Sequence, residues 1–418
     1  RGRPEIIQNG DGEYGFFALM FSYSGLSITV DDDDEGSKTE IKDYLGRVIR
    51  VVEHADGANY TTDYTYNAAG DLLTVRDHYN NTTTIDYDTL GRKTSMNDPN
   101  MGYWEYTYDA NGNLLTQTDE KLQTVTFAYD ALNRVTSKTY STAGSTVTYQ
   151  YDNLAISNCR GRLYRVSNAY STTTYNAYDK MGNVTRESKT IAGNATTHTT
   201  RYEYDLAGRI TRTIYPDGYA VRNDYHPGSG LLASVRDPQE KLLAYLSNYT
   251  PGGKIGKIQY HNAVVTQYEY DPESTRLMSI LTHGTQVVSN HSASASFGAS
   301  QSVQSSSNNQ SAAMIWMPSP VKQVYHQMKS YRYTPAGDIK EIHDSIAGAS
   351  FYFTYDKLHR LKSETNTSSY DPISYTYDAV GNLRSKTVGS RRINYTYDTW
   401  HKHAVKTIKV NGFNHQYE

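Results

Sequence analysis

The stretch YTYDANGNLL, residues 106–115, appears in near-copies along the chain. YTYNAAGDLL occupies residues 64–73, YEYDLAGRI residues 202–210 and YTYDAVGNL residues 375–383. These copies share two tyrosines two residues apart, then an Asp or Asn, a Gly three residues later, and an apolar residue two positions after the Gly. A recurring ten-residue pattern indicates a repeat architecture, so its period has to be established before any other feature is interpreted.

The residue that follows the second tyrosine is named here the anchor of its repeat. The clear anchors are Asn67, Asp88, Asp109, Asp130, Asp152, Asp179, Asp205, Asp271, Thr334, Asp356, Asp378 and Asp398, and weaker ones are Asp43, His226 and Thr250. The first four clear anchors are 21 residues apart, and the last four are 22, 22 and 20 apart. The period is therefore about 21 residues, with insertions in places.

The local chemistry of one repeat predicts a β-hairpin. Tyr106 and Tyr108 lie two residues apart, so in a strand they point to the same face. Asp109 favours the first position of a type I turn, because its short side chain accepts hydrogen bonds from the backbone N–H groups ahead of it. Gly112 then supplies the positive φ that closes a three-residue loop with a bulge, and Leu114 begins the return strand.

An apolar residue, Val, Leu or Ile, lies five positions after most anchors. Leu231 has this position after His226, and Lys93 is an exception. Some of the second turns also carry hairpin dipeptides, namely Asp56-Gly57, Asp217-Gly218 and Asn411-Gly412. No long stretch has the 3.6-residue apolar spacing of a capped helix. These observations predict an all-β chain of tandem hairpins.

A lone hairpin is marginal in water, so the hairpins must pair with one another. Stacked copies bring tyrosine over tyrosine, and such aromatic cross-strand pairs contribute roughly 0.2–1 kcal/mol each. We therefore predict one long, continuous antiparallel sheet without a thick core.

Composition agrees with a thin sheet. The 418 residues include 40 Tyr but 8 Phe, apolar residues make up 37%, and the mean hydropathy is −0.70. The net charge of −3 argues against binding nucleic acid through phosphates. A single cysteine, Cys159, excludes an intrachain disulfide framework. No run of 18 apolar residues predicts a membrane span.

The repeated pattern resembles the YD repeat of RHS proteins, a group that includes bacterial polymorphic toxins, insecticidal toxin-complex components and, more distantly, animal teneurins. The match covers the chain from about Asp43 onward. Two further segments are similar to the bacterial branch: YEYDPESTRLMSI (268–280), followed after an insertion by YRYTPAGDIKEIHDS (331–345), and YTYDTWHKHAVKTI (395–408).

The resemblance implies that the continuous antiparallel sheet spirals into a hollow shell or part of one. This shell would enclose a C-terminal toxin or effector of the same protein and act outside the cell, secreted or at the cell surface. In many members a DPxGL segment closes the shell near a self-cleavage site. The four Asp-Pro dipeptides, at residues 98, 237, 271 and 371, do not match it. We therefore expect the closing segment, the cleavage site and the toxin to lie outside this sequence, and no catalytic residue is assigned.

The sequence divides into four parts. Residues 1–42 are predicted to be lead-in strands, residues 43–281 a YD-repeat sheet, and residues 326–418 its continuation, ending within a repeat. Residues 282–325 interrupt the period with a Ser-, Asn- and Gln-rich insertion. This insertion is interpreted as a flexible loop or surface excursion, or alternatively as two degenerate repeats that lie on the sheet.

Few residues suggest chemistry. The acidic run Asp31–Glu35 has ligands that suit Ca²⁺ but lacks the spacing of a calcium loop. His401 and His403 would share one face of a strand, yet a zinc site needs further ligands, and His359 and His415 are unplaced candidates. Cys159 has no evident base partner. The anchors are interpreted as turn residues, so the prediction is a structural protein without catalytic, cofactor or metal residues.

Two other kinds of function are possible for the same repeats. An adhesion surface or extracellular fibre could form if the sheet of one chain continued into another copy through open edges. Carbohydrate binding could use exposed aromatic rings, but Trp104, Trp316 and Trp400 are scattered. The expected partners are therefore an enclosed C-terminal domain and, in the alternative, other copies of the chain.

Overall fold

The computed structural model describes residues 6–9, 17–31, 36–55, 57–142, 145–287, 321–334, 336–399, 401–410 and 413–416, which form 34 β-strands. The structure has no helix within these ranges, and hence none there that could cross a membrane. The strands are β1 Ile6–Asn9, β2 Phe17–Ser24, β3 Ser27–Asp31, β4 Ser37–Lys42, β5 Val48–Ala55, β6 Ala58–Tyr66, β7 Leu72–Arg76, β8 Thr82–Tyr87, β9 Lys93–Asp98, β10 Gly102–Tyr108, β11 Leu114–Thr118, β12 Thr124–Tyr129, β13 Val135–Tyr140, β14 Thr146–Tyr151, β15 Leu163–Ser167, β16 Ser171–Tyr178, β17 Val184–Ile191, β18 Thr197–Tyr204, β19 Ile210–Ile214, β20 Ala220–Tyr225, β21 Leu232–Arg236, β22 Leu242–Ser247, β23 Lys257–Tyr260, β24 Val265–Tyr270, β25 Leu277–Val287, β26 Val321–Tyr333, β27 Ile339–Asp344, β28 Ala349–Tyr355, β29 Leu361–Asn366, β30 Ile373–Tyr377, β31 Leu383–Val388, β32 Arg391–Tyr397, β33 Val405–Val410 and β34 Phe413–Gln416.

Each described strand pairs antiparallel with the next one in the chain, from β1 to β34. The result is one long sheet that is not closed on itself. The predicted all-β fold with a continuous antiparallel sheet is confirmed. At the insertion, β25 and β26 pair as far as Val287 and Val321, and residues 288–320 lie outside the described ranges. The division of the chain into four parts stays a prediction.

The turn after the second tyrosine is closed by its anchor. Asp109 N–H donates to the carbonyl of Asn113 at 2.9 Å, and Gly112 N–H donates to the carbonyl of Asp109 at 3.1 Å. The Asp109 carboxylate accepts the N–H groups of Asn111 and Asn113 at 2.9 and 2.8 Å. Gly112 has φ +87°, and the strand register shifts just before the turn. The predicted three-residue loop with a bulge is therefore confirmed.

The turn tolerates substitutions that keep its geometry. Asn133 and His359 stand where other repeats have Gly and adopt φ of 59° and 58°. Thr250, a weaker anchor, accepts the N–H of Lys254 through its hydroxyl at 3.1 Å. The weaker anchor His226 departs from the prediction: its loop is one residue longer, because Gly230 N–H donates to the carbonyl of His226, so the return strand begins at Leu232 and not at Leu231.

The remaining sequence expectations for turns have mixed outcomes. Asp217-Gly218 does form a hairpin turn, in which Gly218 N–H donates to the carbonyl of Tyr215 at 2.9 Å. Its loop has three residues, like the anchor turns. The pairs Asp56-Gly57 and Asn411-Gly412 include residues outside the described ranges. Lys93 begins β9 despite its charge, and its ammonium lies 4.3 Å from the ring centroid of Tyr106.

The second tyrosine of most repeats links that repeat to the one before it. In 13 repeats its hydroxyl donates to a backbone carbonyl at, or just before, the start of the preceding return strand. The donor–acceptor pairs are Tyr66–Val48, Tyr108–Lys93, Tyr129–Leu114, Tyr151–Val135, Tyr178–Leu163, Tyr204–Val184, Tyr225–Ile210, Tyr249–Leu232, Tyr270–Ile255, Tyr333–Leu277, Tyr355–Ile339, Tyr377–Leu361 and Tyr397–Leu383. We call this series the tyrosine ladder.

The sheet has two unlike faces. On β10, half-buried Trp104 and Tyr106 alternate with exposed Glu105 and Thr107. We call the first the tyrosine face and the other the polar face, where threonine pairs such as Thr107–Thr116 hydrogen bond between strands. Only seven apolar side chains among the described residues are buried. The body is therefore thin, and ladder and turn contacts do much of what a thick core does elsewhere.

Replacement of Tyr129 by Phe tests the tyrosine ladder. The change removes the hydroxyl that donates to the Leu114 carbonyl at 2.8 Å but keeps the ring. We expect the free energy of local unfolding to fall by about 1 kcal/mol, which hydrogen exchange at β11 to β13 amides would measure as roughly five-fold faster exchange. Tyr352→Phe is the control. Tyr352 lies exposed on the polar face, outside the tyrosine ladder, so its substitution should change little. Equal effects of both substitutions would contradict the ladder.

Two tyrosines, Tyr178 of the ladder and Tyr202 of β18, also predict sensitivity to alkali. Burial raises the pKa of Tyr178 to about 12, and burial together with the Glu187 carboxylate raises the pKa of Tyr202 to about 12. A pKa raised on folding means stability that is complete below about pH 10 and lost as the pH rises toward 12. We expect far-UV circular dichroism to report loss of the sheet within that window, together with tyrosinate absorbance. Loss of the sheet before any tyrosine ionises would refute this.

Candidate functional site

The sheet turns back and contacts itself about 300 residues later. Lys402 N–H donates to the carbonyl of Pro99 at 3.2 Å, and His403 N–H donates to the side-chain oxygen of Asn100 at 2.8 Å. The Nδ1 atom of His401 lies 3.0 Å from the carbonyl oxygen of Asn100. We call this contact between residues 97–102 and 398–404 the seam.

A second contact has the same spacing in the sheet. Ala379 N–H donates to the hydroxyl of Tyr79 at 3.3 Å. This contact joins the β7–β8 loop to the β30–β31 turn, and the seam joins the β9–β10 loop to the β32–β33 turn. Both offsets are 23 strands, since 30 − 7 = 23 and 32 − 9 = 23. The sheet therefore winds with a constant period of 23 strands over this region.

The two contacts also show how neighbouring windings meet. Successive turns of an antiparallel sheet lie at opposite ends of its strands. The anchor turns therefore form one long rim of the sheet, and the turns that connect one repeat to the next, here called connecting turns, form the other rim. At both contacts an anchor turn, at residues 378–381 or 398–404, meets a connecting turn, at residues 77–80 or 97–102. Successive windings therefore lie side by side, rim against rim.

A cleft of about 490 Å³ opens at the seam, lined by Asn97, Asp98, Pro99, Gly102, Glu120, Asp398 and His401. Burial opposes ionisation of Asp98, but hydrogen bonds from Thr83, Asn100 and Met101 and the charge of His403 outweigh it, so the pKa of Asp98 is lowered. The Asp98 carboxylate thus stabilises the β9–β10 turn and also lies near His403 of the next winding. The side chains of this cleft shape a structural junction.

Where the residue four after an anchor is Arg, it connects adjacent repeats along the sheet. Arg360 Nε donates to the Asp356 carboxylate at 2.7 Å, and its other nitrogen donates to the carbonyl of Asp378 at 2.8 Å. The same guanidinium lies 4.9 Å from the ring centroid of Tyr377. Arg47, Arg92, Arg134 and Arg209 repeat this arrangement over the next tyrosine at 4.3–4.9 Å.

Where the position four after the anchor is Asn, the amide replaces the guanidinium. Asn113 Nδ2 donates to the Asp109 carboxylate at 2.8 Å. Hydrogen bonds from that side chain, against a smaller effect of burial, lower the pKa of Asp109. The alternation of Asn and Arg in the repeat is visible in the sequence, but its role in linking one repeat to the next was not predicted from it.

The histidines singled out in the sequence have two different settings. His401 and His403 are exposed and belong to the seam, where they contact the neighbouring winding. The Nδ1 atom of His403 also hydrogen bonds to the side-chain oxygen of Asn382. His359 lies two anchor turns earlier and contacts the Asp338 carboxylate at 2.8 Å. His415 lies in β34.

Other candidate residues show no chemistry in the described structure. Asp31 ends β3, and residues 32–35 lie outside the described ranges. No three His, Cys, Asp or Glu side chains come together as a metal site among the described residues. Cys159 is buried in the diverged turn between β14 and β15. Trp104 is half-buried and stacks on Tyr106, whereas Trp316 and Trp400 are outside the described ranges.

Comparison with known proteins agrees with this geometry. The family model for the RHS repeat matches residues 108–143. No curated protein matches the sequence.

Three solved structures share the fold. The crystal structure of TcdB2-TccC3-TEV is 16% identical and matches 98% of this chain and 22% of its own, with a TM-score of 0.74. TcdB2-TccC3-Cdc42 is 16% identical, with 93% and 22% covered and a TM-score of 0.72. The Tc holotoxin pore of Photorhabdus luminescens with the TccC3-D651A mutation is 16% identical, with 94% and 21% covered and a TM-score of 0.73. This chain thus spans about a fifth of the length of those chains.

Tandem Y-x-Y-D hairpins, one continuous antiparallel sheet and contacts between its rims together define a β-repeat protein with a winding sheet. The chain carries a match to the RHS repeat at residues 108–143, and its fold is similar to that of the TcdB2-TccC3 structures.

Replacement of Asn100 by Ala tests the seam. The substitution removes the acceptor of the His403 N–H bond, which we expect to weaken the junction by about 1 kcal/mol. Hydrogen exchange in residues 398–404 should become roughly five-fold faster, with no loss of sheet content. Asn262→Ala, in another connecting turn, is the matched control, because the side-chain oxygen of Asn262 accepts the N–H of Val264 at 3.2 Å within its own turn. Unchanged exchange at 398–404 in Asn100→Ala would contradict the seam.

Proposed function

We propose that the chain is a structural wall segment of an RHS shell, which encloses a C-terminal toxin or effector domain of the same protein and acts outside the producing cell. The observation that carries the proposal is the winding of the sheet, in which a connecting-turn rim meets an anchor-turn rim 23 strands later. A flat sheet has no such contact between residues about 300 apart.

The winding period sets the width of the enclosed space. With a strand spacing of about 4.8 Å, 23 strands run about 110 Å around, and a circle of that length is about 35 Å across. The sheet and its side chains occupy about 10 Å of this width, which leaves a bore of about 25 Å. A folded domain of about 100 residues has a radius of gyration near 13 Å and is wider than the bore. The proposed cargo is therefore an unfolded or extended chain at this level.

The fibre alternative is less well supported. Fibre growth requires the end strands of different copies to pair, whereas the two rim contacts make the sheet wind without a second copy. Carbohydrate binding has weaker support still, because half-buried Trp104 stacks on a neighbouring tyrosine. The TcdB2-TccC3 structures support a shell only through their fold, since they share 16% identity with this chain.

Protease protection tests the proposal in the full-length protein that contains this chain. We expect its C-terminal domain to be digested at least ten-fold more slowly within that protein than in isolation, because a closed wall excludes the protease. Combined Asn100→Ala and His403→Ala substitutions should reduce the protection, whereas Asn262→Ala should not. Equal digestion of the enclosed and isolated domain would contradict the shell, and regular polymers in concentration-dependent sedimentation would favour the fibre.

A further inference from the structure

A band of exposed arginines crosses the polar face of strands β15 to β21. Its members are Arg165, Arg186, Arg201, Arg212, Arg222 and Arg236, and all but half-buried Arg236 are exposed. Strand register places them on one face: Arg201 alternates with Tyr202 on β18, and the pairings that follow preserve this alternation. We call this group the arginine band.

The register of the arginine band breaks a rule of sheet pairing. Arg186 lies directly opposite Arg201, and Arg222 lies opposite both Arg212 and Arg236. Like charges in directly opposite positions destabilise a sheet. A free sheet therefore loses stability here, and such a departure from local preference is expected where a surface serves a function.

The same face shows the ordinary arrangement elsewhere. On β5, β6 and β7, Asp63 lies between Arg50 and Arg76 and accepts from them at 2.5 and 2.8 Å. Two arginines there share one carboxylate. The like-charged facing pairs therefore belong to the arginine band and not to the polar face as a whole.

Neighbouring carboxylates neutralise only part of the band. Arg212 pairs with Glu203 at 3.3 Å, and Arg222 pairs with Asp224 at 2.9 Å and with Glu240 at 2.7 Å. Arg236 shares Asp224.

The other three members, Arg165, Arg186 and Arg201, form no ion pair with any residue that the structure describes. Asp237 lines the same cleft as Arg212 and Arg222, so the patch has four carboxylates against six guanidinium groups. The balance is 6 − 4 = +2, in a chain whose net charge is −3.

The band has the length and direction of an extended ligand. Arg165 pairs with Thr174, and Thr174 pairs with Ser188. Ser188 lies two residues from Arg186 on β17, so Arg165 is offset from Arg186 by two residues along the strand direction. Arg201 is likewise two residues along β18 from Glu203, which faces Arg212. The members therefore form a diagonal across seven strands, about 29 Å wide at the usual strand spacing. An extended peptide of about nine residues covers that distance.

We propose that the arginine band binds an acidic polypeptide segment in an extended conformation. Guanidinium groups bind carboxylates through paired, charge-assisted hydrogen bonds, and unpaired arginines such as Arg186 and Arg201 leave these donors free. The positions between them, Thr174, Ser188 and Thr199, carry small hydroxyl side chains. No aromatic ring lies among these positions, so bases have no stacking platform and single-stranded nucleic acid is disfavoured. The inference does not rest on the proposed shell. The polar face would bind such a segment whether this face points toward an enclosed space or away from it.

A binding experiment on the whole chain tests the arginine band. The probe is a fluorescent peptide of alternating Glu and Ser, about ten residues long, with an alternating Lys and Ser peptide as the charge control. We expect anisotropy to report binding of the first peptide and not of the second. The double variant Arg186→Thr/Arg201→Thr should bind at least ten-fold more weakly, while Arg50→Thr/Arg76→Thr, which removes the same charge from the same face, should bind within about two-fold of the parent.

Thermal unfolding keeps this result distinct from misfolding. Removal of the Arg186–Arg201 repulsion should leave the melting temperature of that variant unchanged or higher. The control variant should melt at a lower temperature, because Asp63 loses both partners. Weaker binding without loss of stability is the expected combination for the arginine band.

Three results would overturn the proposal. The first is peptide binding that survives Arg186→Thr/Arg201→Thr. The second is equal weakening in both double variants, which would show attraction to total charge. The third is displacement of the peptide by an oligonucleotide or by anionic lipid vesicles at equal charge concentration, which would assign the arginine band to nucleic acid or to a membrane surface.

Discussion

A sheet one layer thick needs some other means to cover its apolar surface and its backbone, and tyrosine provides both. The ring of Tyr129 covers part of the tyrosine face, and its hydroxyl satisfies the Leu114 carbonyl of the repeat before it. Thirteen such bonds join successive repeats. Because each is worth about 1 kcal/mol, the wall is stabilised evenly along its length and not at one centre.

The anchor turn determines where each tyrosine can reach. Asp356 closes its own loop and holds Arg360, and Arg360 extends to the next tyrosine and the next anchor carbonyl. Because the role is geometric, Asn113 and Thr250 preserve it with other chemistry. The turn geometry is therefore the same in repeats whose anchor, or whose residue four after the anchor, differs.

Winding brings distant repeats together. The rim contacts at Tyr79 and Asn100 are modest hydrogen bonds, yet they join one winding of the sheet to the next. Residues 401–403 show that closeness in space can be independent of closeness in the sequence. His401 and His403 stand near the end of a repeat in the sequence, and only the winding brings them to Asn100, about 300 residues away.

Much of the fold could be predicted from local sequence because its determinants are local. Tyr106, Asp109, Gly112 and Leu114 specify strand, turn and return strand within ten residues, and tandem repetition then implies pairing with neighbours. The curvature of the sheet could not be predicted, because it sums small twists over 23 strands, and no single residue encodes that sum. The seam, the cleft beside Asp98 and the arginine band depend on register and winding. The sequence by itself therefore determined the hairpins and their order, and the tertiary structure alone decided which distant turns touch and which arginines face each other.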